Sequence, residues 1–450
     1  MISIIIAILG ILLTIIIVIG THEFAHFITA RYLGVKVLRF SIGFGKTLFS
    51  WYDKKHTEYV IALIPLGGYV KMLDENEGPV PQDDLSFAYN KQPFYKKFLI
   101  VLAGPIANLI CAIVFYWLIF MIGFVTPKPI IGKITPGSIA AMAGLKENHQ
   151  IISIDNHETL FWPAIFFRVI AHAGNQDQLT IKVKNTNHQT QVYTLHLENW
   201  SMDKLTPEPI HSLGIHPYTP TIRLLIHSIQ NNSPAARSTL QINDKLIALN
   251  KKKIVDWTEL TKTIEAQPNK TIHFTIERQG KTLDIPVTIG YKRVSLFYKV
   301  GYLGITPKID WPKHFFHTIQ YSPSRALVAA WHEVINFTYF NYILIGKLLV
   351  GKISLQSLGG PITIFETAGE ALNSGILSFI SFLAFINVSI GILNLLPIPG
   401  LDGSHLLLQI IEAIIRKPLP EKFLVIFYRF GFVLILFIMI QAFINDILRL

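Results

Sequence analysis

His22-Glu23-Phe24-Ala25-His26 sets two imidazoles four residues apart with a carboxylate between them. On a helix this spacing stacks both rings on one face, where they can hold one zinc ion, and places Glu23 to polarise a bound water. The pattern follows directly on an apolar run from Ile2 to Gly20. Two histidines and a glutamate are costly there unless they bind something or line a water-filled cavity, which favours a metal over histidines that merely end an interfacial helix. Catalytic zinc commonly takes three protein ligands and a water, so one ligand must come from elsewhere. Asp402, in Asn394-Leu-Leu-Pro-Ile-Pro-Gly-Leu-Asp402-Gly403, is the candidate, and the bland alternative is an Asp-Gly turn. The chemistry of such a trio is hydrolysis: zinc activates water and the scissile carbonyl, while Glu23 takes a proton from the water and passes it to the leaving amine.

The elements that must position these residues are apolar. Of 450 residues 51% are hydrophobic and 30 are Phe, too apolar for an ordinary soluble protein, yet the middle of the chain is polar. Four segments are long enough to cross a bilayer: Ile2 to Gly20, Phe98 to Phe124, Leu377 to Leu396 and Phe423 to Ile444. A fifth, Ala326 to Val350, is interrupted by His332, Glu333, Asn336, Asn341 and Lys347 and is expected to be an amphipathic interfacial helix. The first twenty residues lack a basic start and a small-x-small cleavage site, so they are read as a retained span. Ten Lys/Arg between Arg31 and Lys97 predict that this connection is cytoplasmic. With four spans the first and third run inward alike, and Asp402 then reaches the membrane face that holds His22; a fifth span would send it to the opposite one.

Between the second and third spans, residues from Ile131 and from Ile226 align without gaps at an offset of 95, including Ser138/Ser233, Ala140/Ala235, Leu145/Leu240 and Trp162/Trp257. This is read as a tandem duplication of a small α+β domain. The copies resemble circularly permuted PDZ domains. The first keeps Ala143-Gly144-Leu145 but has Asn148-His149 where the pattern has Gly-Asp, and the second keeps Ser233-Pro234-Ala235-Ala236 and Asp244 but has Thr239 in place of Gly. Such domains take an extended peptide at a sheet edge, or serve here as a size filter.

Other residues qualify for supporting roles. Asn394, at the inner end of an apolar span, could bind substrate backbone or a developing oxyanion, whereas Asn387 on the same face is assigned to packing. Extended segments at Val35 to Phe49 and Glu58 to Met72 carry Gly43, Gly45 and Gly67-Gly68, and are expected to form a membrane-associated β-hairpin region whose edge captures unwound substrate. Leu102 to Asn108 supplies small residues and a proline for close helix packing. Gly359-Gly360-Pro361-Ile362 is read as a turn. Cys111 is the only cysteine, which excludes a disulfide or a cysteine-based zinc site. The net charge of +11 comes without a basic tract, so the expected partner is the lipid bilayer and not nucleic acid.

Taken together, His22-Glu23-x-x-His26, Asn394 to Gly403, four spans and the repeats resemble the site-2 protease family of intramembrane zinc metalloproteases over essentially the whole chain. The resemblance implies zinc on His22, His26 and Asp402, Glu23 as the catalytic base, and a role for Asn394, Gly43 and Gly45 toward substrate. It also implies an inner-membrane enzyme whose repeats lie in the periplasm and whose site lies near the cytoplasmic face. The implied substrates are single-span membrane proteins, such as an anti-sigma factor already trimmed by another protease, or remnant signal peptides. The expected fold is a mixed membrane protein: membrane domain 1–124 with the hairpin region, PDZ-like domains 125–220 and 221–308, an amphipathic connection 309–375, and membrane domain 376–450. Two other classes would use some of these features, a membrane metal transporter and a non-catalytic PDZ-like scaffold.

Overall fold

The computed structural model describes every residue except 1, 77, 173–176, 199, 201–207, 294–298, 352–358 and 450. Helix α1 spans Ile2–Tyr32 without a break, so the expected end at Gly20 is passed by three further turns. Nothing in Thr21 to Tyr32 stops a helix, and its polar rings find buried places: His22 and His26 are 7% and 8% exposed. At 1.5 Å per residue His22 lies about 30 Å from the start of α1, one hydrocarbon thickness along it.

Strands β1 (Val37–Tyr52) and β2 (Glu58–Met72) follow, pairing antiparallel with Val37 opposite Met72, Ile42 opposite Gly68 and Tyr52 opposite Glu58. Residues 39–42 lie between 58–61 and 68–71, so the last part of β2 is an outer edge of this small sheet. At Gly43 φ is +94°, and a Cβ there would sit 2.9 Å from the Ile64 carbonyl oxygen, so the bend in β1 requires glycine on both counts. Phe40, Tyr59, Val70 and Met72 seat the sheet on Phe27 and Ala30 of α1 and on Ile100 of α2 (Phe94–Ile122).

Two α+β units come next and share most of their element order. In the first, strand Ile131–Ile134 leads to α3 (Ile139–Met142), strand Gln150–Ile154, α4 (Trp162–Ala171), strands Gln178–Lys184 and Thr190–His196, and the short α5 (Pro209–Ser212). In the second, strand Thr221–Ile229 leads to a Ser233 turn, strand Lys245–Leu249, α6 (Trp257–Glu265), and strands Thr271–Arg278 and Lys281–Thr288. Ser138 Oγ accepts from Ala141 N at 3.2 Å and Ser233 Oγ from Ala236 N at 3.1 Å, the same local cap at the same offset. Each opening strand pairs antiparallel with its closing strand, Ile215–Pro217 in the first unit and Ile305–Asp310 in the second, slightly past the boundary expected at 308. Strand Phe124–Pro127 pairs with Phe316–Ile319, tying the entry to the exit of the soluble region.

Helix α7 (Pro323–Leu349) lies against the membrane helices: Val334 and Phe337 pack with Ala112 of α2 and with Val388 and Ile392 of α9 (Ile376–Leu395). Phe167 of α4 meets Phe337 edge-on at 4.8 Å, and Arg168 donates to Asn336 Oδ1 at 2.7 Å. Preceding α9, α8 (Pro361–Asn373) packs on α1, with Ala368 in one apolar cluster with Val18. The last helices are α10 (Asp402–Ile415) and α11 (Glu421–Arg449). Asp446 of α11 caps α8 from a distance, accepting from the amides of Gly360, Ile362 and Thr363 and from Thr363 Oγ1. Gly359-Gly360-Pro361-Ile362, expected as a turn, is thus an anchored helix start. Among the described residues four helices are long and apolar enough to cross a membrane, Ile5–Tyr32, Phe94–Ile122, Ile376–Leu395 and Glu421–Leu448, and α7 is not one of them.

Candidate metal centre

Along α1 the rings of His22 and His26 stand one turn apart, their centroids 4.8 Å from each other. Helix α9 ends at Leu395, the prolines at 397 and 399 forbid its continuation, and the chain turns through Gly400 (φ +99°) so that Asp402 opens α10. Gly403 makes this reversal tight, for a Cβ there would lie 2.2 Å from the Leu396 carbonyl oxygen. The turn delivers Asp402 Oδ2 to 3.0 Å from His22 Nε2 and 3.3 Å from His26 Nε2, while the two Nε2 atoms are 3.1 Å apart. Among the described residues this is the one group of three His, Cys, Asp or Glu within reach of a single ion.

These separations fit zinc. Ligand atoms 2.0–2.2 Å from a tetrahedral ion lie roughly 3.4 Å from one another. Three ring and carboxylate atoms gathered that closely suit a shared partner, and among the described residues Asp402 Oδ2 has no hydrogen-bond partner outside the trio. One of the two rings is held from outside: His26 Nδ1 donates to the Ile100 carbonyl at 2.7 Å, which would leave Nε2 to a metal.

A cavity of about 550 Å³ opens on the trio. Glu23 lines it, as do Gly68, Tyr69 and Val70 from the edge of β2, and Tyr89 and His405 from the far side. Glu23 therefore shares the space in which a water would meet the ion, and the strand edge faces the same space. Tyr89 OH accepts from Gln409 of α10 at 2.9 Å, and burial pushes its phenol well above the usual range, so it stays neutral.

Two glycines matter more than the motifs that contain them suggest. A Cβ at Gly104 of α2 would lie 2.3 Å from His26 Nε2 and 2.8 Å from His22 Cε1, so the bare backbone of α2 forms the wall behind both rings. A Cβ at Gly68 would lie 2.9 Å from Glu23 Cγ. Gly104 stands in a segment whose sequence suggests close helix packing and Gly68 in the expected hairpin region; no spacing rule ties either to residues about 80 or 45 positions away. Asn394 lies half-buried in the last turn of α9 and is not among the residues lining the cavity, nor are Gly43 and Gly45, which bend β1 against Ala62 and Ile64. Asn387 is fully buried and its amide donates to the Leu383 carbonyl at 2.8 Å, as packing requires.

Comparison with known proteins bears on the chemistry. The sequence profile of Peptidase family M50 matches residues 10–438. Regulator of sigma-E protease RseP from Salmonella typhimurium strain 14028s is 38% identical over 443 residues, covering 98% of this chain and 97% of that protein. RseP of Escherichia coli K12 is 37% identical over the same coverage, and a Vibrio cholerae protein that carries a zinc-metalloprotease name is 38% identical over 96% of both chains. This decides against the transporter and the catalytically silent scaffold. With the profile and these relatives running the length of a fold whose two ends meet around a zinc-sized gap, the chain belongs to Peptidase family M50 and is a zinc metalloprotease.

Proposed function

We propose that this protein is an intramembrane endopeptidase that cleaves single-span membrane proteins, with zinc on His22, His26 and Asp402 and with Glu23 as its general base. The observation that carries the reading is the 3.0–3.3 Å convergence of three ligand atoms, from the end of one apolar helix and the turn after another, beside Glu23 in one cavity. Bound zinc supplies Lewis-acid activation of water and of the scissile carbonyl. Glu23 accepts the proton of the attacking water and returns it to the leaving nitrogen. His22 and His26 keep their Nε2 lone pairs toward the ion, and the Ile100 carbonyl fixes the tautomer of His26.

A transmembrane helix hides its carbonyls, so substrate must be unwound before attack. The outer edge at Gly68 to Met72 lies along the cavity and offers backbone groups to an extended segment. Gly43 and Gly45 serve this indirectly, by shaping the sheet that presents the edge. Asn394 is proposed to act on substrate backbone at the inner end of α9. The two soluble units, whose opening residues align at an offset of 95 and which share the Ser138 and Ser233 caps, are read as duplicated PDZ-like domains on the periplasmic side that admit substrates already trimmed outside. Two relatives are named as regulators of sigma-E, which makes a trimmed anti-sigma factor the substrate to test, in an inner-membrane setting with the site near the cytoplasmic face.

The test is reconstitution of the purified protein with a trimmed single-span substrate. Wild type should cleave, Glu23→Gln should bind zinc without cleaving, and chelation should abolish cleavage reversibly; a Glu23→Gln protein with undiminished turnover would overturn the mechanism. Deleting residues 131–305 tests the filter separately, because continued refusal of intact substrate would remove that role from the soluble units.

A further inference from the structure

A histidine that holds a metal through one ring nitrogen ordinarily donates its other N–H to a fixed acceptor, which sets both the tautomer and the ring plane. His26 meets this rule through Ile100. His22 presents Nε2 to Asp402 and His26, and its Nδ1 is buried without a partner among the described residues. On α2, one turn beyond Gly104, a second side chain has the same deficit. Asn108 is fully buried, and among the described residues neither its Oδ1 nor its Nδ2 has a hydrogen-bond partner. Two other helix asparagines donate their Nδ2 to the carbonyl one turn back, Asn387 to Leu383 and Asn341 to Phe337, and Asn387 Oδ1 alone stays unpartnered there; Asn108 lacks a partner on both atoms among the described residues.

The two deficits lie on adjoining turns of the packed helices. Gly104 abuts both imidazoles, and the His22 atom it faces is Cε1, the carbon between the two ring nitrogens. Asn108 is one turn further along α2, rotated about 40° from Gly104 at 100° per residue, and side chains lean toward the helix N-terminus, here back toward the level of Gly104. On its other flank Pro105 and Leu109 pack against Gly391 of α9. The buried amide thus stands one turn from the wall behind His22, on a helix that packs on both α1 and α9.

We propose that Asn108 is a positioning residue of the zinc centre, its Oδ1 accepting the Nδ1–H of His22 through one buried water. The bond fixes the His22 tautomer that leaves Nε2 free for the ion. A neutral amide does this without adding a second carboxylate at lipid depth. The inference rests on the reading of His22 as a ligand and extends it to a residue outside the ligand set and the catalytic base.

The test measures zinc affinity of the purified full-length protein by competition with a chelator, with cleavage of the trimmed substrate alongside. Asn108→Leu, of similar size but without an acceptor, should weaken zinc binding by about 10–100-fold, and added zinc should restore part of its activity. Asn108→Asp keeps the acceptor and should hold zinc within a few-fold of wild type. Should Asn108→Leu fail to fold, Asn108→Ala carries the same expectation. Wild-type zinc affinity in a folded Asn108→Leu or Asn108→Ala protein, or equal loss in Asn108→Asp and the apolar variant, overturns the proposal. His22→Ala separates the two readings: unchanged zinc affinity there refutes the ligand assignment itself, whereas loss there with no effect at Asn108 refutes only the positioning role.

Discussion

Gly104→Ala is the smallest change that should disable the centre. The added methyl would lie 2.3 Å from His26 Nε2, 2.6 Å from its Cε1 and 2.8 Å from His22 Cε1. An ordinary contact begins near 3.4 Å, so the His26 ring must retreat by about 1.1 Å or α2 must move away from α1 by as much. Retreat of the ring is resisted by its Nδ1 bond to Ile100, and movement of α2 by the close approach of Pro105 and Leu109 to Gly391. A zinc–nitrogen bond of about 2.0–2.1 Å does not survive a displacement of that size, so the expected loss of zinc affinity is at least about 100-fold. Loss of fold is not the expected route, because alanine favours a helix over glycine by about 1 kcal/mol. The assay is zinc content and chelator competition on purified protein, with Gly20→Ala as control, since nothing lies within 4 Å of a Cβ at that α1 position. Stoichiometric zinc at wild-type affinity in Gly104→Ala would show that the rings and α2 are not in the contact from which the argument starts.

At Gly68 an added methyl meets the Ser41 carbonyl oxygen at 2.7 Å and Glu23 Cγ at 2.9 Å, so Gly68→Ala should cut kcat by roughly 10–100-fold while zinc affinity stays within a few-fold; equal loss of both would place Gly68 with the ligands instead. Burial raises Glu333 on α7 from 4.5 to about 7 despite the opposing charge of Arg168. Between those two values the native state holds a proton that the unfolded chain has released, so stability should fall as pH rises through that window, by up to about 3 kcal/mol, and level off above it. Glu333→Gln should flatten that part of the profile in denaturation followed at several pH values, and an unchanged slope would count against the buried carboxyl. Asp446→Ala removes the acceptor for three amides and a hydroxyl at the start of α8, and should cost about 1–2 kcal/mol in chemical denaturation, with faster proteolysis around residue 360; no change in either would mean that the cap is dispensable.

The sequence by itself determined what depends on spacing and on long-range composition. Two histidines four residues apart share a helix face whatever surrounds them, and long apolar runs form helices that must cross lipid because their backbones can be satisfied in no other way there. Span parity even predicts that Asp402 returns to the level of His22, since each crossing reverses direction. Most of the element order of the two units was legible too, because turn and strand patterns are local, but the short helix that the Ser-x-Ala-Ala pattern suggests in both forms only in the first, at Ile139–Met142, and is a turn after Ser233.

Contacts between elements were not legible, because nothing in a one-dimensional pattern states which face of one helix meets which face of another. Tertiary packing alone decided that Gly104 is the wall behind both imidazoles, that Gly68 and not Gly43 or Gly45 touches the site, and that Asn394 stands outside the cavity lining. It likewise turned Gly359 to Ile362 into a helix start held by a carboxylate 86 residues away from Gly360. Local propensity names the candidate ligands, but the 3 Å tolerances around them arise only when α1, α2 and the turn after α9 are pressed together, where the absence of a side chain counts as much as the presence of one.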